Sequence, residues 1–210
     1  MRIGSWGTLF GLALVGLGGC AGMSAEECAM SDWRAVGFED GSLGYTAARL
    51  GNYRRACAEH GYTPDLTAYQ AGRREGLQLY CQPSRGFSVG SSGGQYYGVC
   101  SADLEAGFLD GYHAGAELYN LRSNVNAANS RIHSNEQELE RTKELIRAKE
   151  AALIDSATTT QDRVLLLADL KELSERVGEL EADIDLAVAE RARHEERLAA
   201  YESTLAYSGY

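Results

Sequence analysis

The chain has 210 residues, a formal charge of −10 and 44% apolar residues. That length allows one real core plus a second element, and the acidic balance argues against a nucleic-acid surface or a basic patch on anionic lipid. No spacing of Ser, His, Cys, Asp or Glu stands out as a catalytic motif, and no cofactor is implied.

Residues 1–19 hold one charged side chain, Arg2, followed by an apolar run from Leu9 to Leu17. This is the layout of an export signal, and the run is well short of the ~20 residues of a membrane-spanning helix. It closes on Leu17-Gly18-Gly19-Cys20, which resembles a bacterial lipobox. The resemblance implies cleavage before Cys20 and a thioether-linked diacylglycerol plus an N-acyl chain such as palmitate on that cysteine. Two or more chains, at about 0.8 kcal/mol per buried methylene, give stable anchoring. Ala21 follows, where an Asp would imply inner-membrane retention. The expected location is the outer membrane, facing the periplasm. An ordinary signal peptide with Cys20 incidental is the alternative.

The expected organisation is a lipoprotein signal over 1–19, a cysteine- and glycine-rich domain over 20–117 and a helical hairpin over 118–210. Beyond Cys20, the cysteines are Cys28, Cys57, Cys81 and Cys100. An even number in an exported chain reads as a disulfide framework, with three possible connectivities. We favour Cys28–Cys57 and Cys81–Cys100. A zinc site built from these thiols, with or without His60, would lack paired Cys-x-x-Cys knuckles, so no metal is expected.

Within the first domain, Thr46–Glu59 reads as a helix ending at Gly61. Thr63-Pro64-Asp65 supplies a cap, a first-turn proline and a dipole-favoured acid for a helix over about 64–80. Phe87-Ser-Val89 and Gln95–Val99 flank Gly90-Ser-Ser-Gly93-Gly94 and read as a β-hairpin whose base brings Cys81 opposite Cys100. Ser101 is placed to cap a helix through Phe108 and Tyr112. The expected fold is therefore α+β: a small disulfide-bonded helical domain with one β-hairpin, followed by a coiled coil.

Three segments share one glycine spacing: Trp33-x-x-x-Gly37-x-x-x-Gly41, Tyr69-x-x-Gly72-x-x-x-Gly76 and Phe108-x-x-Gly111-x-x-x-Gly115. Residues four apart lie on one helical face, so these glycines allow close helix–helix contact. Arg73, Arg74, Glu75, Asp110 and His113 keep these segments out of a membrane. Each glycine costs a helix up to about 1 kcal/mol relative to alanine, so packing rather than propensity explains them.

Several of these motifs recur in a known family. Cys28-x4-Trp33, Gly37-Phe-Glu-Asp-Gly41, His60-Gly61 before a proline, Tyr69-Gln-Ala-Gly72-Arg-Arg-Glu-Gly76-Leu, Tyr80-Cys81 and Tyr97-Gly-Val-Cys100 resemble small bacterial lipoproteins catalogued as domain of unknown function 2799. The resemblance covers about residues 28–120. It implies export and a shared small fold, and brings no activity, ligand or catalytic residue.

From residue 118 the composition changes: no proline, no cysteine, and all three lysines. Leu118, Leu121, Val125, Ala128, Ile132, Asn135, Leu139, Thr142, Ile146 and Leu153 keep three-and-four spacing, interrupted by Lys149. Leu166, Leu170, Leu173, Val177, Leu180, Ile184, Ala187, Leu198, Tyr201 and Leu205 form a second arm, interrupted by Arg191 and His194. The polar stretch 155–162 between them is the expected turn of an antiparallel hairpin.

For chemistry, Arg73 and Arg74 are the best recognition candidates, able to hold a carboxylate or sugar acid with Trp33 and Tyr69 as aromatic neighbours. The aromatics read equally as the core of a small domain short of Leu and Ile. His113 near Asp110 and Glu117 is a weak acid–base candidate without a nucleophile. The leading expectation is a non-enzymatic lipoprotein with a structural or protein-interaction role. The alternatives are a binding module for a cell-wall glycan or peptide and, remotely, a hydrolase centred on His113. Expected partners are the membrane through the lipid, a periplasmic protein or a second copy through the coiled coil, and a cell-wall fragment.

Overall fold

The structure is a computed structural model that describes residues 23–208; Cys20 and the signal segment lie outside the described residues. Every regular element in it is helical: α1 (Ala25–Met30), α2 (Trp33–Ser42), α3 (Ala48–Ala58), α4 (Leu66–Tyr80), α5 (Pro83–Ser91), α6 (Ala102–Ile154) and α7 (Thr160–Ser208). The chain divides into two compact units between Gly76 and Leu77, inside α4.

The expected β-hairpin is absent, and the α+β reading is corrected to all-α. Pro83 opens α5 at the first helical turn, where a missing N–H costs nothing. Phe87-Ser-Val89 sits inside that helix, and the loop after it turns through Gly93, whose φ of 72° suits glycine alone. Three alternating residues between glycines mimicked a strand; the helix's own signal was a fourth spaced pair, Gly86 and Gly90.

In the first unit α2 packs on α4. A methyl group on Gly37 would overlap the Tyr69 carbonyl, and one on Gly72 or Gly76 would overlap the carbonyl of Arg34 or Phe38. In the second unit α5 packs on the start of α6 in the same way. There Gly86 faces the Phe108 carbonyl, and Gly111 and Gly115 face those of Pro83 and Phe87. Both pairs carry one sequence pattern: Gly37-Phe-x-x-Gly41-Ser-x-Gly44 matches Gly86-Phe-x-x-Gly90-Ser-x-Gly93. Likewise Tyr69-x-x-Gly72-x-x-x-Gly76-x-x-Leu79-Tyr80 matches Phe108-x-x-Gly111-x-x-x-Gly115-x-x-Leu118-Tyr119. The turns agree too. Tyr45 N–H bonds the Asp40 carbonyl as Gly94 N–H bonds that of Val89, both at 2.9 Å. One helix-pair motif thus occurs twice.

Each copy has its own disulfide: Cys28–Cys57 with Cα atoms 5.5 Å apart, and Cys81–Cys100 at 5.6 Å. Each also has its own aromatic core. Trp33, Leu50 and Tyr69 pack around the first bridge. Leu77, Tyr80 and Phe108 pack around the second, with Tyr96 and Tyr112 against them. What differs is the link between the paired helices, which holds α3 in the first copy and no helix in the second.

α6, whose first turns make this packing, is 53 residues long in all, about 80 Å at 1.5 Å per residue, and α7 returns antiparallel for 49 residues. The seam is the one expected: Leu118, Ala128, Ile132, Thr142, Leu180, Ala187 and Leu205 are buried, and the other seam positions are half-buried. Two helices alone cannot enclose an a/d layer completely. Thr142 returns its hydroxyl to the Glu138 carbonyl at 2.9 Å, which satisfies it inside the seam.

Candidate functional site

The one buried acidic side chain among the described residues is Asp40, in the last turns of α2. Lying between Gly37 and Gly41, it faces the interior. Tyr69 Oη donates to its Oδ2 at 2.8 Å, Tyr53 Oη to Oδ1 at 3.2 Å, and Arg49 Nε lies 2.9 Å from Oδ1. Arg49 also donates to Tyr53 Oη at 3.0 Å and covers the Tyr45 ring at 4.1 Å from its centroid. The carboxylate is therefore both paired and hydrogen-bonded, which buried charge requires.

This environment holds the phenols neutral. Burial, then the Asp40 hydrogen bond and charge, push Tyr69 well above the ordinary tyrosine range. Tyr53 is raised chiefly by burial. The cluster is a charge-assisted network that fastens α2, α3 and α4 together, and Arg49 and Tyr53 also line a groove of about 250 Å³.

Of the residues expected to bind a ligand, Trp33 and Tyr69 lie in the core, 8% and 1% exposed. Their rings pack on Tyr53 at 6.0 and 6.2 Å. Arg73 is held by the Tyr45 carbonyl, with Nη2 at 2.8 Å. Arg73, Arg74 and Tyr69 do come together, with Ala47, Leu50 and Gln70, around a groove of about 360 Å³, which Trp33 does not line. Arg74 is exposed there, and among the described residues it meets no carboxylate. The groove is roomy enough for a small ligand and offers one free guanidinium.

The histidines do not converge. His113 is exposed and lies edge-on to Tyr112, with ring centroids 5.7 Å apart; His133 contacts Gln137 on α6 at 2.8 Å. No group of three His, Cys, Asp or Glu side chains able to hold a metal occurs among the described residues. Sequence reasoning missed Asp40 and Arg49. The signal available for Asp40 was its position between two packing glycines, which places it on the buried face.

The second candidate surface is the α6–α7 hairpin. Cross-helix ion pairs fix its register: Arg122–Glu202 at 2.8 Å, Lys143–Glu181 at 3.2 Å, Arg176–Glu138 at 2.7 Å, and also Arg131–Glu190 and Lys149–Asp169. Tyr201 Oη donates to the Ala114 carbonyl at 2.9 Å, near the hairpin's base. Where Arg191 and His194 enter the seam, His194 Nδ1 is buried without a hydrogen-bond partner. Arg191 Nε has only the Glu195 carboxylate, at 3.5 Å. At the far end, Ile154, Val164, Leu165 and Leu167 are exposed.

Comparison with known proteins gives one match. Residues 32–117 fit the model of the family described as "Protein of unknown function (DUF2799)", which bears out the resemblance read from the motifs over that stretch. The matched segment runs from the cap of α2 into α6 and holds both glycine-packed helix pairs; most of the hairpin lies beyond it. The family description assigns no activity. No curated protein and no solved structure matches the chain.

Proposed function

We propose that this chain is an outer-membrane-anchored periplasmic lipoprotein with a structural or protein-interaction role, and that the α6–α7 hairpin is its contact element. The observation that carries the reading is the hairpin itself. It is two helices of 53 and 49 residues, zipped by cross-helix ion pairs and an apolar seam. Such an element spends its length on surface and reach, which is what a spacer or binding arm needs. Three facts support the anchoring half: the Leu17-Gly-Gly-Cys20 sequence, the two disulfides that suit an oxidising compartment, and the lack of any described helix long and apolar enough to cross a membrane.

The test is the intact mass of the protein from the membrane fraction, with and without reductant. Residues 20–210 plus acyl chains, gaining four protons on reduction, is the expected result. An unacylated chain, or free thiols before reduction, refutes the anchoring. Site-specific crosslinking from α6 and α7 in the envelope tests the contact role; no crosslinked species from any hairpin position refutes it.

A second reading, a binding module for an acidic cell-wall glycan or peptide, is favoured by the unpaired Arg74 beside the α3–α4 groove. Retention on peptidoglycan that is lost in Arg74→Ala is its expected signature, and equal retention by the variant removes it.

A further inference from the structure

We infer that the tip of the hairpin pairs with the tip of a second copy of this chain. The inference deepens the contact role proposed above by naming the partner.

Exposed apolar side chains are most concentrated at the tip; elsewhere on the arm they are fewer, as at Leu145, Leu186 and Val188. Lower on α7, seam residues alternate with outward acids such as Glu172, Glu175 and Glu179. In the first two turns the sequence is Val164-Leu-Leu-Leu-Ala168, apolar for more than a full turn. One neighbouring helix covers only one side, so Leu166 turns to the seam while Val164, Leu165 and Leu167 stay 63%, 60% and 56% exposed. Ile154, at the end of α6, is 82% exposed. A helix turn that is apolar all round is normally buried, and clustered exposed side chains of this kind mark an interaction surface.

The turn is well fastened. Arg163 donates from Nη2 to the Asp155 carbonyl at 2.8 Å and from Nε to that of Thr158 at 3.2 Å. Thr158 Oγ1 donates to the Ala152 carbonyl at 2.6 Å, and Thr159 Oγ1 caps α7 through Asp162 N–H at 3.2 Å. The patch is therefore presented on a defined scaffold and not on a fraying end.

Charge selects the occupant. The tip region 147–172 interleaves Arg147, Lys149, Arg163 and Lys171 with Glu150, Asp155, Asp162, Asp169 and Glu172, in a chain of net charge −10. A surface that docks on an anionic bilayer carries a basic excess. A nearly balanced, mixed patch is instead compatible with itself, as a two-fold contact requires. The tip also carries a groove of about 440 Å³ lined by Leu165, Leu166, Ala157 and Thr158 with the carboxylates of Asp155, Asp162 and Asp169. Size sets the strength. The four exposed apolar side chains amount to roughly 400 Å² per copy, so the pair falls below the ~1,200 Å² of a standard interface and associates weakly. Copies held on one surface meet at a raised effective concentration, which makes a weak contact sufficient.

The experiment is sedimentation equilibrium of the full, disulfide-bonded chain with the substitution Cys20→Ser, so that acyl chains cannot aggregate it, across a hundredfold concentration range. The expected result is a mass that rises from monomer toward dimer. L165E/L167E abolishes the rise, and L186E, which alters an exposed leucine distant from the tip, leaves it intact. A mass that stays monomeric throughout, or L186E acting like the tip variant, overturns the proposal. So does tip-dependent binding to phosphatidylglycerol vesicles without any change in mass. Crosslinking from the tip separates the two readings: capture of another envelope protein by a monomeric chain ends self-pairing and leaves the contact role standing, whereas capture of nothing from any hairpin position ends both.

Discussion

Exchanging the polar core of the first helix pair for the residues of the second tests whether the two are equivalent. At matched positions the first pair has Asp40 and Tyr69, the second Val89 and Phe108. Asp40→Val alone removes the acceptor of Tyr69, whose phenol is 1% exposed and finds no replacement. A buried donor left unsatisfied costs about 1–3 kcal/mol. Arg49 and Tyr53 lose an acceptor too, but Arg49 is 43% exposed and reaches water, and the half-buried Tyr53 hydroxyl still accepts from Arg49, so they add less. The single variant should lose about 2–3 kcal/mol. Asp40→Val with Tyr69→Phe removes donor and acceptor together, and replacing a buried polar pair by apolar groups of similar shape is close to neutral. The double variant should lie within about 1 kcal/mol of the native chain, giving a coupling of roughly 1–3 kcal/mol in the double-mutant cycle. Urea unfolding of the oxidised protein measures all four corners. Additive losses would refute the equivalence of the two helix pairs.

Further expectations follow from the packing. Gly72→Ala should destabilise by about 1–3 kcal/mol, because its methyl meets the backbone of α2, which cannot swing aside. Gly178→Ala, with open space around it, should stabilise by up to about 1 kcal/mol, and equal effects in thermal melts would count against close helix contact. Replacing both Cys81 and Cys100 by Ala should cost about 3 kcal/mol for a loop with sequence separation 19, read as a lower urea midpoint. Tyr69, Tyr53, Tyr80 and Tyr96 are all raised, mainly by burial. Their contribution is fully present below the ordinary tyrosine value of about 10 and is lost as pH rises through the folded values, so the protein should unfold in strong alkali. Tyr69→Phe should flatten that alkaline limb, and an unchanged profile would show that Tyr69 has no part in it.

The hairpin was legible because its signal is redundant: about ten apolar positions in each arm keep one period, and errors at Lys149, Arg191 or His194 do not shift it. The turn was marked by 155–162, and α7 begins at Thr160 within it. The first domain was harder. In α5 the residues that make the helix pack are Gly86 and Gly90, and glycine counts locally as a helix breaker. Phe87 and Val89 then supplied a false two-residue period. Only the backbone of α6, lying close enough to touch those glycines, turns them from breakers into packing residues. Trp33 and Tyr69 were ambiguous for a related reason. A domain short of Leu and Ile fills its core with aromatics, so their chemistry did not separate core from binding face.

The difference between the two helix pairs also explains why a charge is buried in only one. In the second pair a short link joins α5 to α6, and Val89 packs apolar within it. In the first, the link contains α3, and α3 supplies both Arg49 and Tyr53 to the Asp40 carboxylate. The carboxylate therefore fastens an element that the bare motif lacks, beside the disulfide that holds the other end of α3 at Cys57. Arg49→Met tests this. It keeps the side chain's packing stem and leaves Asp40 with two phenol donors and no cation. A buried carboxylate deprived of its cation is destabilised, so Arg49→Met should lose about 1–3 kcal/mol in urea unfolding of the oxidised protein, the exposed guanidinium keeping the loss at the low end. In an Asp40→Val background the same substitution should lose little further. An equal loss in both backgrounds would mean that Arg49 stabilises α3 by stacking on Tyr45 alone.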